Sequence, residues 1–310
     1  MLNNKDLKIV SAILEDARMP ITSLAKKVHL PREVVQYRLK NLENNLISGY
    51  QARINLKLFS DSIYTMFLNI SEKNREETIV KLKKLPSVHW IGSTLGKWNY
   101  ILSFSVKNEA LNGFLDEIFT LLGDINYSLT QQLIEKKDTF SGLFEGKKLL
   151  ISQKKSEKFQ IDELDRKIIY FLTKNARMSN SEIADKISLT RESVRMRIKN
   201  LEKQNVILGY RTMIKPHLLD LVSYVLTIKC NPPNSESLNR VCDKLVENNS
   251  VSYICTMAGK INILSVLTTK SLKELDDICN SLREVKEVKE IETYPLIKVG
   301  SQEYLPEKII

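Results

Sequence analysis

The stretch ARMPITSLAKKVHLPREVVQYRLKNLE, residues 17–43, returns as ARMSNSEIADKISLTRESVRMRIKNLE, residues 176–202, with 14 of 27 positions identical and no gap. Ordinary protein composition gives about one or two such matches by chance, so the 310-residue chain carries an internal duplication. The likeness runs beyond this window. SGY at 48–50 answers LGY at 208–210, and GKWNYIL at 96–102 answers GKINILS at 259–265, so the repeated unit is half the chain.

Within the first copy, Ile9, Val10, Ile13 and Leu14 fall at helical spacing, ITSLAKKV gives a short second helix, and PREVVQYRLKNLENN gives a third. The turns at His29–Pro31 and Ser188–Thr190 are short enough for a helix-turn-helix. Thr190 is a plausible N-cap, with Glu192 and Ser193 in the first turn, whereas Pro31 suits a first helical position, where a missing N–H costs nothing. On the third helix, Val35, Leu39 and Leu42, matched by Val194, Ile198 and Leu201, form a buried stripe. The opposite face carries Arg32, Glu33, Gln36, Tyr37 and Lys40 in one copy and Arg191, Glu192, Arg195, Met196 and Lys199 in the other, with Arg38 and Arg197 flanking the stripe.

An α-helix fits the major groove of duplex DNA, where Arg, Lys, Gln and Asn read base edges and cations meet phosphates. The DNA-binding set expected from this reading is Arg32, Gln36, Tyr37, Arg38, Lys40, Thr190, Arg191, Arg195, Met196, Arg197 and Lys199. Gln36 and Tyr37 stand where the second copy has Arg195 and Met196, so unequal half-sites are expected. Arg18 and Arg177, from the repeated ARM, have two open readings: contact with phosphate, or a structural role at a helix end in which the stem stacks over the core or the guanidinium binds carbonyls.

After each third helix, LISGYQARINLKLF and VILGYRTMIKPHLL lose helical spacing and read as a turn into a strand. From Ile63 onward the order is strand, helix, strand, strand, helix, strand, and the second copy repeats it from Val222, a ferredoxin-like βαββαβ pattern. The expected fold class is α+β, with two copies of a winged-helix-like helix-turn-helix domain followed by a ferredoxin-like domain. The expected boundaries are 1–58 and 160–215 for the helix-turn-helix domains, 59–137 and 216–310 for the ferredoxin-like domains, and 138–159 for a Lys-, Gly- and Ser-rich linker containing Phe140, Leu143 and Phe144.

Charge follows the motif. The net +10 arises from residues 1–58, with 10 Lys/Arg against 5 Asp/Glu, and residues 160–215, with 12 against 7; elsewhere the charges cancel. Hydrophobic content of 43% with 27% charged residues describes an ordinary folded protein. No signal segment or run of about 18 apolar residues is present, so a soluble, cytoplasmic protein is expected. Cys230, Cys242, Cys255 and Cys279 have no metal-ligand spacing and read as buried thiols, and His89 reads as a structural histidine. No metal, cofactor or catalytic residue is assigned, and the chain is expected not to be an enzyme.

IDELDRKIIYFLTKNARMSNSEIADKISLTRESVRMRIKNLEKQNVILGY, residues 161–210, resembles the helix-turn-helix of Lrp/AsnC-type transcription regulators, and residues 5–50 are a more diverged version. The βαββαβ segments look like that family's effector-binding and oligomerisation domain, including its Gly-x-x-Asp-like turn before the third strand. The resemblance implies transcription control through double-stranded DNA, dimers formed by paired sheets, and small ligands held between effector domains. With two units per chain it implies a covalent pseudo-dimer, with room for further homo-oligomers. Gly96, Asn99, Gly259 and Asn262 are the corresponding effector-site positions. Asn replaces the family's acidic residue in both turns, removing a partner for a ligand's ammonium and arguing against a free amino acid. The architecture also resembles siroheme decarboxylases, with Trp98-Asn99 and His89-Trp90 similar to their pattern, although the Arg and second His of that pattern are missing. An interaction scaffold with inert helix-turn-helix units is the remaining alternative.

Overall fold

The computed structural model describes residues 2–71, 74–85, 87–123, 125–144 and 160–302. Most of the expected linker, residues 145–159, lies outside them; its first residues continue from a strand into a short 3-10 turn, Ser141–Phe144. The chain contains two compact units, and these regroup the halves: one gathers both helix-turn-helix segments, the other both βαββαβ segments.

In the first unit, α1 (Asn4–Glu15), α2 (Ile21–Val28), α3 (Arg32–Asn45) and β1 (Ile47–Ile54) form one copy. Local chemistry starts these helices. Asn3 accepts from the Lys5 and Asp6 amides while Asp6 reaches back to the Asn3 amide, a reciprocal cap. Pro31 occupies the capping position itself, one residue earlier than expected, with extended backbone. His29 takes a left-handed conformation, φ 56°, to turn the chain between α2 and α3. Val35, Leu39 and Leu42 are buried with Ile9, Ile13 and Leu24, the stripe predicted from spacing.

The second copy supplies its counterparts in the same unit, although these helices follow the second unit's first half in chain order. The second unit's first half is β2 (Ser62–Ile70), α4 (Arg75–Lys83), β3 (Val88–Thr94), β4 (Tyr100–Val106), α5 (Leu111–Leu122) and β5 (Ile125–Asp138). The second helix-turn-helix is then α6 (Glu163–Lys174), α7 (Asn180–Ile187), α8 (Arg191–Lys203) and β6 (Ile207–Ile214). Asp162 with Asp165 and Ser179 with Glu182 form reciprocal caps, and the Thr190 hydroxyl accepts from the Ser193 amide, as expected of an N-cap.

The strand after each third helix does not fold back as a wing of its own copy. β1 pairs antiparallel with β6, so the ribbon is shared, with Gln51 opposite Arg211 and Tyr50 opposite Thr212. Arg18 and Arg177 cross between the copies. Arg18 Nη1 donates to the Ala176 carbonyl at 2.6 Å and the Met178 carbonyl at 3.2 Å, while Arg177 Nη1 donates to the Ala17 carbonyl at 2.8 Å and the Met19 carbonyl at 3.2 Å. Each guanidinium also lies over a tyrosine that follows a third helix, Arg18 over Tyr210 and Arg177 over Tyr50, at 5.6 and 5.3 Å. Of the two readings of the ARM repeat, the structure adopts carbonyl binding, and it does so in exchange.

The second unit is completed by β7 (Val222–Cys230), α9 (Ser235–Glu247), β8 (Val251–Ala258), β9 (Ile263–Thr269), α10 (Leu272–Arg283) and β10 (Val288–Gln302). Each half is the expected ferredoxin-like sheet, yet the strands close into one barrel of order β10-β3-β4-β2-β5-β8-β9-β7. Strand length explains the closure. β5 and β10 run to 14 and 15 residues, where the others have seven to nine. The first part of β5 pairs with β2 of its own half and its last part, from Gln131, with β8 of the other; β10 likewise pairs with β7 and then, from Leu296, with β3. A closed sheet leaves no edge backbone groups to satisfy. Gly92 permits the second crossover, since a Cβ there would lie 2.8 Å from the Leu296 Cδ1 and 2.3 Å from the Trp90 ring.

The reciprocal arginine exchange predicts that Arg18→Ala and Arg177→Ala each cost about 1.5–3 kcal/mol, the range for hydrogen bonds to charged groups. Urea unfolding followed by circular dichroism measures this, and the double variant should lose less than the sum because both act on one interface.

Candidate nucleic-acid interface and effector turns

Each third helix is fixed by its buried stripe, so the residue types left outward define the candidate interface. On α3, Arg32, Gln36, Tyr37 and Lys40 are exposed; at α8, Thr190, Arg191, Arg195, Met196 and Lys199 are exposed. Tyr37 and Met196 stand out as large side chains left 68% and 54% exposed. A shallow depression of about 600 Å³ lies at the helix-turn-helix turn of the first copy, lined by Lys26, His29 and Arg32 among others.

Arg38 and Arg197 have a different situation. Arg38 Nη1 bonds Asp6 Oδ1 at 2.9 Å, tying α3 to the start of α1. Arg197 Nη1 bonds Asp162 Oδ2 at 2.7 Å and Asp165 Oδ1 at 2.8 Å, tying α8 to the start of α6. Both guanidinium groups are therefore engaged inside their own helix-turn-helix and not turned outward. The Asp165 amide and then the Arg197 guanidinium hold the Asp162 carboxyl below the usual carboxylate range. Arg195, by contrast, grips a neighbour on its own helix, Glu192, a pairing legible in the i, i+3 spacing yet absent from the sequence reading.

The turns carrying Gly96, Asn99, Gly259 and Asn262 lie in the second unit. Gly96 and Gly259 have φ of +111° and +137°, a region that side-chain-bearing residues rarely adopt. The Asn99 carboxamide accepts from the Ile70 amide at 3.0 Å and donates to the Ile70 carbonyl at 2.8 Å. The Asn262 Oδ1 accepts from the Cys230 amide at 2.8 Å and its Nδ2 donates to the Gly259 carbonyl at 3.3 Å. Asn99 thus serves the backbone of the strand beside its turn, and Asn262 that of both the neighbouring strand and its own turn. The two turns meet different neighbours: a Cβ on Gly96 would face the Tyr294 ring at 3.6 Å, and one on Gly259 the Thr130 methyl at 3.4 Å.

His89 is half-buried on β3. Burial pushes the Cys242 and Cys255 thiols up to about 12, so both stay protonated and unreactive at neutral pH. Among the described residues, no group of three or more His, Cys, Asp or Glu could hold a metal ion, and no helix is long and apolar enough to cross a membrane.

Residues 2–43 and 161–202 match the model of the AsnC-type helix-turn-helix domain, and residues 223–304 match that of the Lrp/AsnC ligand binding domain. An uncharacterised HTH-type transcriptional regulator of Pyrococcus horikoshii is 30% identical over 105 residues, covering 34% of this chain and 68% of that protein. The leucine-responsive regulatory protein of Escherichia coli is 32% identical over 102 residues, 32% of this chain, and that of Haemophilus influenzae 33% over 91 residues, 28% of this chain. The chain spans 62% and 55% of the length of those two. Among solved structures, the siroheme decarboxylase NirDL in complex with an iron-uroporphyrin III analogue matches 98% of this chain and 94% of its own, with a TM-score of 0.64 and 12% identity. At that identity the likeness is one of fold. It nevertheless corrects the expectation that the chain is not an enzyme, because an enzyme has this same end-to-end architecture.

Arg197→Ala should lower stability by about 1–2 kcal/mol at pH 7, between the values for exposed and buried pairs. A carboxyl held low stabilises the fold above the ordinary carboxylate range and gives that up as pH falls through it. The gap between variant and unaltered protein in urea unfolding should therefore narrow below about pH 4.

Proposed function

The chain belongs to the Lrp/AsnC family in a tandemly duplicated form, and from that premise we propose that it is a cytoplasmic, sequence-specific regulator that binds double-stranded DNA as a covalent pseudo-dimer. The observation that carries this reading is the reciprocal Arg18–Arg177 exchange with the shared β1–β6 ribbon, which joins two helix-turn-helix copies whose third helices keep cationic faces outward. Dimeric readers of this kind set two recognition helices on successive half-sites; here one chain supplies both. Arg32, Lys40, Arg191 and Lys199 meet phosphates or base edges, with Gln36, Tyr37, Arg195 and Met196 reading bases. Arg38 and Arg197 act by holding the helices in place. A small-molecule effector sits beside the Gly96–Asn99 and Gly259–Asn262 turns. A free amino acid fits poorly, since both asparagine carboxamides already serve the backbone.

The test is duplex binding by fluorescence anisotropy at several salt concentrations. Affinity should fall steeply as salt rises. The combined variant Arg32→Ala, Lys40→Ala, Arg191→Ala and Lys199→Ala should bind at least about tenfold more weakly with a shallower salt slope, each lost phosphate contact lowering the slope by about one. Unchanged affinity in a variant with unaltered circular dichroism would overturn the reading.

A second reading has one observation in its favour, the chain-long likeness to a siroheme decarboxylase crystallised with a tetrapyrrole. Here the βαββαβ unit binds an iron tetrapyrrole and decarboxylates its side chains, with His89 as the candidate proton donor or ligand. Titration with iron uroporphyrin should then give a saturable absorbance change that His89→Ala diminishes. No change on titration sinks it.

A further inference from the structure

The two outward faces share a glutamate and differ in what it meets. Glu33 and Glu192 occupy the same place in the two copies, but three residues on lies Gln36 in one and Arg195 in the other. In the second copy the two side chains interlock. Arg195 Nε lies 3.0 and 2.9 Å from the two Glu192 carboxylate oxygens, and Nη2 lies 2.5 Å from Oε1. The pair is outside, with side chains 44% and 64% exposed, so it adds little to stability.

Placement on the helix gives it a purpose. At about 100° per residue, Glu192 lies nearly opposite the stripe of Val194, Ile198 and Leu201, while Arg195 springs from one side of the outward face. The carboxylate therefore draws the guanidinium head from the flank, where phosphates would lie, toward the centre, where base edges would lie. A guanidinium gripped this way is already set for two parallel acceptors. Among base pairs in the major groove, guanine presents two acceptors to one side chain, O6 and N7. Glu192 also repels phosphate, which discourages Arg195 from a backbone contact.

We infer that Glu192 is a specificity-determining residue that positions Arg195 for guanine, so that the half-site under α8 carries a guanine where the half-site under α3, read by Gln36, carries an adenine. This rests on the DNA-reading function proposed above. The neutral Gln36 amide matches the N6 and N7 pattern of adenine, and Glu33 has no arginine at that spacing to hold.

The experiment selects sites from a random duplex library with the full chain, then compares the best duplex with one carrying 7-deazaguanine, which lacks the N7 acceptor, at each guanine of the α8 half-site. For the unaltered chain one position should cost about tenfold in affinity. Arg195→Lys keeps the charge but lacks the fork, and it should lose the preference at that position. Glu192→Gln should bind unrelated duplex several-fold more tightly, with a salt slope steeper by about one, and show a reduced guanine preference. Retention of the full preference by either variant, or no deazaguanine-sensitive position in the unaltered chain, overturns the inference and leaves DNA reading intact. If the unaltered chain binds no duplex at all, DNA reading falls and the inference with it.

Discussion

A strand edge that finds no neighbour in its own copy must find one elsewhere, and for β1, β5 and β10 the other copy supplies it. β1 ends one helix-turn-helix as a single strand and is completed by β6. β5 and β10 outrun the sheets they begin in and are completed by β8 and β3. Unpaired peptide groups buried away from water are costly, so each half is an incomplete object that a second copy completes. Joining the halves in one chain makes that completion intramolecular, which raises the effective concentration of each partner for the other.

The two copies spend their sequence differently around the same frame. The second copy caps its helices with side chains, through Asp162, Ser179 and Thr190, whereas the first enters α2 and α3 through Pro20 and Pro31 with no side-chain cap. Both keep the inward arginine, Arg38 or Arg197, paired with an acidic residue at the start of the first helix. What holds the third helix is thus retained in kind, while the outward residues diverge. That division fits the proposed pair of unequal readers, which would need a shared mount and separate faces.

Much of this is legible in the sequence. The stripe of Val35, Leu39 and Leu42, the Thr190 cap and the βαββαβ order follow from spacing alone, because helix and strand periodicities are local properties. The ion pairs of Arg38 and Arg197 are not legible in the sequence, because their partners lie about thirty residues earlier, on a helix whose placement spacing does not give. The asparagines fared better: the loss of a carboxylate in both turns was readable, but their bonds to Ile70 and Cys230 depend on a strand folded alongside. Absence of catalysis was a poorer inference still, since an architecture does not fix its chemistry.

The sequence by itself determined the modules, their order and their doubling, for these reside in periodicity and repetition along the chain. It also determined which residues face outward on α3 and α8, because a buried stripe leaves only one opposite face. Tertiary structure alone decided who completes whom. The ribbon shared by β1 and β6, the barrel closed by β5 and β10, and the crossing of Arg18 and Arg177 all join residues far apart in sequence. A hydrogen-bonding edge or a guanidinium states a need without naming its partner, and only the folded chain supplies one.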